Sequence, residues 1–365
     1  MQNLDQPGKS QTSKVQPRKD LGHQQCELYP DSHVQIFPFS EYWWFYLAFV
    51  GFVLALLGLD LGVFHRKAHA ISVKEALTWS AIWISLALLF NFGFYQYLLW
   101  SLPENARLMS IAGFEPALAA KNAALEFLTG FVVEKSLAVD NLFVFVVVFR
   151  YFQISSHHQH RILFYGIIGA LLFRAIFIAL GAVLMQYEAV VVFFGAFLIF
   201  TGVKLVFTGD KPMEPERTWV MRLARRVLPI STDHKGPDFF VREHGRWLVT
   251  PVFLTLLFLE ASDIIFAIDS VPAIFAVTKE PLLVFTSNIF AILGLRSLYF
   301  LLANMMDRFH LLKYGLSAVL SFVGLKMVWL NQMFDGHFPI GVSLGVIGGI
   351  LAVTMALSLL LPKRT

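Results

Sequence analysis

EFLTGFVVEKSLAVDNL, residues 126–142, sits inside an apolar run from Ala123 to Phe149. A run of that length spans a bilayer as a helix, which needs roughly 20 mostly apolar residues. Yet it carries Glu126, Glu134, Lys135 and Asp140. A charge at membrane depth costs about 2.5–3.5 kcal/mol on insertion scales, so several in one helix need partners, water or a cation. A second stretch of the same kind, LEASDIIFAIDSVPA at 259–273, holds Glu260, Asp263 and Asp269. Glu134, Asp140 and Asn141 align with Asp263, Asp269 and Ser270, so each copy has an acid, an Asp six positions later, and then a small amide or hydroxyl.

Composition agrees with membrane residence. Of the 365 residues 57% are hydrophobic and 15% charged, where soluble domains carry about 25% charge. The runs are continuous rather than alternating, which excludes strands of a β-barrel. The fold class expected is all-α and polytopic, with nine spans near 42–63, 77–101, 123–149, 162–186, 189–208, 248–275, 282–302, 314–331 and 339–361. Residues 1–40, polar and Gln-rich, read as a disordered arm without the apolar core of a signal peptide. The transmembrane domain is then 41–365. Cys26, the single cysteine, excludes an intramolecular disulfide and a thiolate metal cluster.

Lys and Arg set the orientation. They gather in alternate loops: Arg66 and Lys67, Arg150 and Arg161, Lys211 through Arg246, Arg308 and Lys313, and finally Lys363 and Arg364. The intervening loops hold only Arg107, Lys121 and Lys279. The N-terminus is therefore expected outside and the C-terminus in the cytoplasm. The +4 net charge is spread over these loops, with no patch for nucleic acid.

The likeness of the acidic helices extends outward. LFRAIF around Arg174 corresponds to GLRSLY around Arg296, and GAFLIFTGVKLVF from Gly195 to SAVLSFVGLKMVW from Ser317, with six identities in thirteen positions. Repeat A is 123–208, repeat B is 248–331, and a loop at 209–247 joins them on the cytoplasmic side. Three spans are an odd number, so the copies run in opposite directions through the bilayer. Inverted repeats characterise many secondary transporters, whose substrate site lies near the midplane between the halves.

Glu134, Asp140, Asn141, Asp263, Asp269 and Ser270 form the candidate metal site. Carboxylate, amide and hydroxyl oxygens are hard donors suited to Mg, Ca or Mn, and no intramembrane His or Cys joins them as Zn or Cu sites would need. Pro272 is expected to break its helix and free carbonyls as further ligands. Six acids, counting Glu126 and Glu260, face three bases, Lys135, Arg174 and Arg296, so a divalent cation or protons must balance the remainder. The alternative is that acids and bases pair and only hold helices together.

Glu126 and Glu260 suit a gate, a proton-linked role or a structural hydrogen bond equally. Arg174 and Arg296, in mid-span, are expected to pair with acids or to exchange partners. Lys204 and Lys326 are placed near helix ends, where their stems snorkel. Asp60 either lines the path or faces headgroups, and Asn288 is either a ligand or a helix–helix hydrogen bond. His157, His158 and His160 read as a solvated loop. Arg222, Arg225 and Arg226 either bind anionic headgroups or act as a retention signal. No P-loop, dinucleotide fingerprint, nucleophile elbow or zincin helix occurs, so nothing supports an ATPase or any enzyme.

EFLTGFVVEKSLAVDNLFVF, FLEASDIIFAIDSVPAIFAVT, SNIFAILGLRSLYF and FVGLKMV together resemble the TerC family of integral membrane proteins, over about residues 42 to 361. The resemblance implies a bacterial-type inner-membrane protein linked to manganese export, with links to tellurium resistance and to alkaline pH; plant relatives sit in thylakoids. It carries the acids of the family's two motif helices onto Glu134, Asp140, Asp263 and Asp269, and the long arm is a departure from it. Mn(II) is then a transported ion rather than a bound cofactor, with the lipid bilayer as surroundings and protons as candidate coupling ion. A membrane scaffold or assembly factor with structural charges is the alternative of a different class.

Overall fold

The computed structural model describes residues 35–59, 72–207, 218–231, 236, 238–243, 245–303, 311–334 and 338–361, without the side chains of Asp140, Phe143, Ser156 and His157. Asp60 and most of the arm lie outside the described residues, and so do the basic clusters at 66–67, 308 and 363–364.

The helices are α1 (Phe39–Leu59), α2 (Val73–Ser101), a short α3 (Ala106–Met109), α4 (Pro116–Tyr151), α5 (Ser156–Leu184) and α6 (Glu188–Phe207). Then follow α7 (Trp219–Val227), a hairpin of β1 (Phe240–Glu243) and β2 (Arg246–Val249), α8 (Pro251–Phe275), α9 (Pro281–Leu293), α10 (Leu295–Ala303), α11 (Leu312–Leu325), a π-helical turn Lys326–Leu330, the short α12 (Asn331–Met333), and α13 (Ile340–Leu360). The described part of each expected span overlaps helix, residues 60–63 lying outside the described residues and 248–249 in β2. Among the described residues seven helices, with α11 running on through α12 as one of them, are long and apolar enough to cross a membrane, and α9 with α10 make a bent pair that adds an eighth if counted as one span. α4 is longer still, at 36 residues, or about 54 Å of helix. Glu126, Glu134, Lys135 and Asp140, spread along it, keep it out of that count.

Helix starts follow local chemistry. Proline opens α4, α8 and α9 at the first helical position, where its fixed φ suits the helix and its missing N–H costs nothing. Thr250 caps α8, its hydroxyl accepting from Phe253 N at 3.3 Å. Ser72 caps α2 in the same way through Glu75 N at 3.2 Å.

α4 packs on α9, α5 on α8, and α6 on α11, with α4 also against α8 and α5 against α9. The α6–α11 seam is the tightest. A Cβ on Gly324 would lie 2.5 Å from Gly195 O, and one on Gly202 would lie 2.9 Å from Ser317 O. The Ser317 hydroxyl donates to Gly202 O across the seam. Small residues let backbones approach in this way where lipid gives helices no hydrophobic reason to associate. An aromatic cluster fills the junction of α1, α2, α4 and α9: Phe90 and Phe290 lie 4.8 Å apart, with Phe49, Phe94 and Phe127 around them. Phe193, Phe200, Leu89 and Leu360 point outward, as side chains bathed in lipid do. Trp43, Trp44, Trp100, Trp247 and Trp329 are exposed toward element ends, as interfacial belts require.

Four expectations change. α8 runs through Pro272 to Phe275; the ring sits in the last turn, so it removes one donor without breaking the helix. The arm as assigned ends too late: α1 already begins at Phe39, and Phe37 is buried against Tyr42 and Phe94. His158 and His160 lie in the first turns of α5 rather than in a loop, with His160 beside Phe300. Lys326 does not snorkel. It is 4% exposed in the π-helical turn, whereas its repeat counterpart Lys204 is exposed over the Phe200 ring.

Candidate functional site

Arg174, midway along α5, is the largest of the fully buried side chains among the described residues. Its guanidinium joins four helices. Nη1 donates to Glu134 Oε1 of α4, to Ser270 Oγ of α8 at 3.1 Å and to Asn288 Oδ1 of α9 at 3.0 Å. Nη2 and Nε fork onto the Asp263 carboxylate at 3.3 and 3.5 Å. Asn288 also donates from Nδ2 to Glu134 Oε2 at 3.4 Å. Asp263 and Ser270 reach the same guanidinium because seven residues are two helical turns, which keeps both on one face of α8. Every member is buried, Glu134 and Asn288 completely. Two carboxylates therefore share one guanidinium in a buried site, which holds one formal negative charge in excess if both are ionised.

Other predicted residues fall outside this hub. Asp269 is half-buried, and its charged neighbour is Lys204 of α6. Six residues on a helix turn it well away from Asp263. Asp140 lies on α4, and its side chain is outside the described set. Asn141 is buried on α4 two turns beyond Glu134. Lys135, expected to balance an acid, instead donates to Ala291 O at 3.1 Å. Adjacent helix positions point about 100° apart, so it cannot face the hub that Glu134 joins. Its ammonium sits where α9 bends by 44° into α10 at Gly294. Arg296, just past that bend, is buried and lines a cavity of about 20 Å³ with Glu260 and Asp263, room for about one water. Glu260 projects over Gly169, where a Cβ would meet its carboxyl at 2.2–2.4 Å, and its Oε2 has no hydrogen-bond partner among the described residues. Among those residues no three His, Cys, Asp or Glu side chains converge in a metal-holding arrangement.

A second polar group lies at the opposite end of α8. Thr278 donates to Glu126 Oε2 at 2.5 Å, and Glu280 and Lys326 are the charged groups facing Glu126. Glu280 accepts from Ile36 N at 2.6 Å and Phe37 N at 3.2 Å. Arg107 completes the clamp on this segment, donating to Gln35 O at 3.0 Å and pairing with Glu41 at 3.0 Å. Burial pushes the Glu280 carboxyl above its ordinary value, against the pull of the two amides. Thr278 and Glu280 were missed from the sequence; the TKEP turn before α9 was their only mark.

The TerC model, integral membrane protein TerC family, matches residues 119–365, taking in α4, the hub and both acidic helices. An uncharacterized membrane protein STKORF319 of Myxococcus xanthus is 48% identical over 313 residues, covering 86% of this chain and 91% of its own. The putative membrane-bound redox modulator Alx of Escherichia coli K12 is 44% identical over 315 residues, covering 84% and 91%. An uncharacterized membrane protein of Rickettsia bellii is 34% identical over 283 residues, covering 77% and 87%. No solved structure matches. With both acidic helices and the buried arginine hub inside the matched region, which leaves only α1 to α3 and the first residues of α4 outside it, the chain belongs to the TerC family of integral membrane proteins.

Proposed function

We propose that this chain is a membrane transporter that exports a divalent metal cation, of the class that hard oxygen donors suit, with Mn(II) the ion that the resemblance to the TerC family implies. The observation that carries this reading is the Arg174 hub. Glu134 and Asp263, from equivalent positions of the two halves, meet on one guanidinium with charge left over. In this arrangement the arginine occupies the carboxylates. A cation entering the site takes Glu134 and Asp263 from Arg174, with Ser270 as a further donor in the hub, and Asp140, Asn141 and Asp269 of the same two helices serve it elsewhere along its path. A proton on one acid balances the charge equally well, so exchange against protons suits the same chemistry. The inverted repeat is supported by the packing of α4 on α9 and α5 on α8, which exchange when the halves are swapped, and of α6 on α11, which maps onto itself.

The same closed network favours a second reading, a membrane scaffold or stress-resistance factor in which the hub only ties four helices. Manganese flux in proteoliposomes, with and without a pH gradient, separates the two. The transporter reading expects Mn(II) to raise the unfolding temperature, and Asp140→Asn and Asp269→Asn each to abolish flux while the protein still inserts. Wild-type flux from both variants would make the acids structural.

Orientation belongs to the same reading: an inner-membrane protein with its N-terminus outside and its C-terminus in the cytoplasm, as the basic loops require. A topology reporter fused after Arg225 should read as cytoplasmic and one near Lys14 as external. Both reading on one side would break the nine-span count.

A further inference from the structure

Helix α7, WVMRLARRV, has three sides rather than two. At about 100° per residue, Met221 and Ala224 share one side, Trp219, Leu223 and Val227 a second, and Arg222, Arg225 and Arg226 a third. The first side is buried against α8 and its neighbours, while the apolar second side and the basic third are exposed.

The adjoining hairpin continues this surface. Arg242 and Trp247 are cross-strand partners, both exposed, and Arg246 is exposed beside the turn. Two acids of this surface have partners among the described residues: Glu243 accepts from Ser231 at 2.8 Å, and Asp238 pairs with Arg161 at 3.7 Å.

The assembly is fixed at the membrane end of the bundle. Val249 N donates to Pro229 O at 2.8 Å and Ser231 N to Val249 O at 2.9 Å, which ties the chain after α7 to β2 one residue before the cap of α8. At the foot of α5, Arg161 stacks on Phe239 at 4.8 Å. An exposed apolar stripe beside an exposed arginine stripe, both held where two spans leave the bilayer, has one surface that matches both. Acyl chains cover the first and anionic headgroups the second.

We propose that α7 and the β1–β2 hairpin form a docking surface for the anionic leaflet of the chain's own membrane, with Trp219, Leu223 and Val227 in the acyl boundary and the five arginines among headgroup phosphates. The loop between the halves is then an interfacial anchor, and the protein's stability depends on acidic lipid.

The test uses the full chain with Cys26→Ala and Leu223→Cys, labelled with an environment-sensitive nitrobenzoxadiazole dye, in nanodiscs of phosphatidylcholine with or without phosphatidylglycerol; Val227→Cys is a second labelling position. The dye should emit to the blue, be quenched by spin-labelled lipid tails and be shielded from aqueous iodide. Phosphatidylglycerol should raise the unfolding temperature, inorganic phosphate should not, and the Arg222→Gln, Arg225→Gln and Arg226→Gln triple variant should lose most of that rise. Quenching by iodide but not by lipid would overturn the proposal. So would shielding from both quenchers that grows with protein concentration, which would mark an interface with a second copy. A phosphatidylglycerol effect intact in the triple variant would overturn it as well.

Discussion

Arg174→Ala should be the most destabilising single substitution in this bundle. The change strands Glu134 and Asp263 in a buried site, and breaking a buried pair by removing one partner costs on the order of 3–5 kcal/mol. Part of the loss is electrostatic and part is unmade hydrogen bonds to Ser270 and Asn288. Thermal unfolding of the purified protein in detergent measures it. Asp263→Asn in the Arg174→Ala background should recover much of the lost stability and none of the flux. Arg174→Lys should fall between, since an ammonium keeps the charge but lacks the planar fork that grips Asp263. An Arg174→Ala protein as heat-stable as wild type would mean that the guanidinium contributes nothing to holding the four helices.

Removing the acids in turn should give a response that is not monotonic. Glu134→Gln leaves one carboxylate against one guanidinium, a balanced pair, and Gln still offers an oxygen to Nη1 and to Asn288. Its stability should equal or exceed that of wild type, while manganese flux disappears. Adding Asp263→Asn strips the guanidinium of both anions and buries a lone positive charge, so stability should fall by an amount comparable to Arg174→Ala, about 3–5 kcal/mol. A steady decline across the series would mean that hydrogen-bond geometry, and not charge, governs the hub. Flux surviving Glu134→Gln would remove this carboxylate from the transport path.

The helical bundle was legible because apolar length is decided locally. The described part of every expected span overlaps helix, with ends displaced by a few residues where proline or a capping hydroxyl sets them. The pairing of Arg174 with acids was legible too, since no arginine in mid-span can snorkel out. Which acids it meets was not. Spacing along α4 and α8 places Glu134 and Asp263 on faces, but which faces meet depends on how four helices cross, and sequence periodicity does not contain that. Lys135 shows the limit: it neighbours Glu134 in sequence, yet the helix turns it toward the α9–α10 bend. Lys326 shows another, because only the π-helical turn rotates its stem inward while the matching Lys204 stays out. The surface of the 209–247 loop was read only as retention charge or a headgroup site. The exposed apolar side of α7 became visible once Met221 and Ala224 were seen to be covered.

The α6–α11 seam bears on motion. Gly195 meets Gly324 and Gly202 meets Ser317, two contacts that trade places when the halves are exchanged. Backbones this close cannot slide or part without clash or loss of the Ser317 bond. Any rocking of one half against the other must therefore turn about this seam as an axle, with the largest displacement reserved for the far side, where α5 meets α8. Covalent linkage across the axle should leave turnover intact, whereas a linkage between α5 and α8 should stall it.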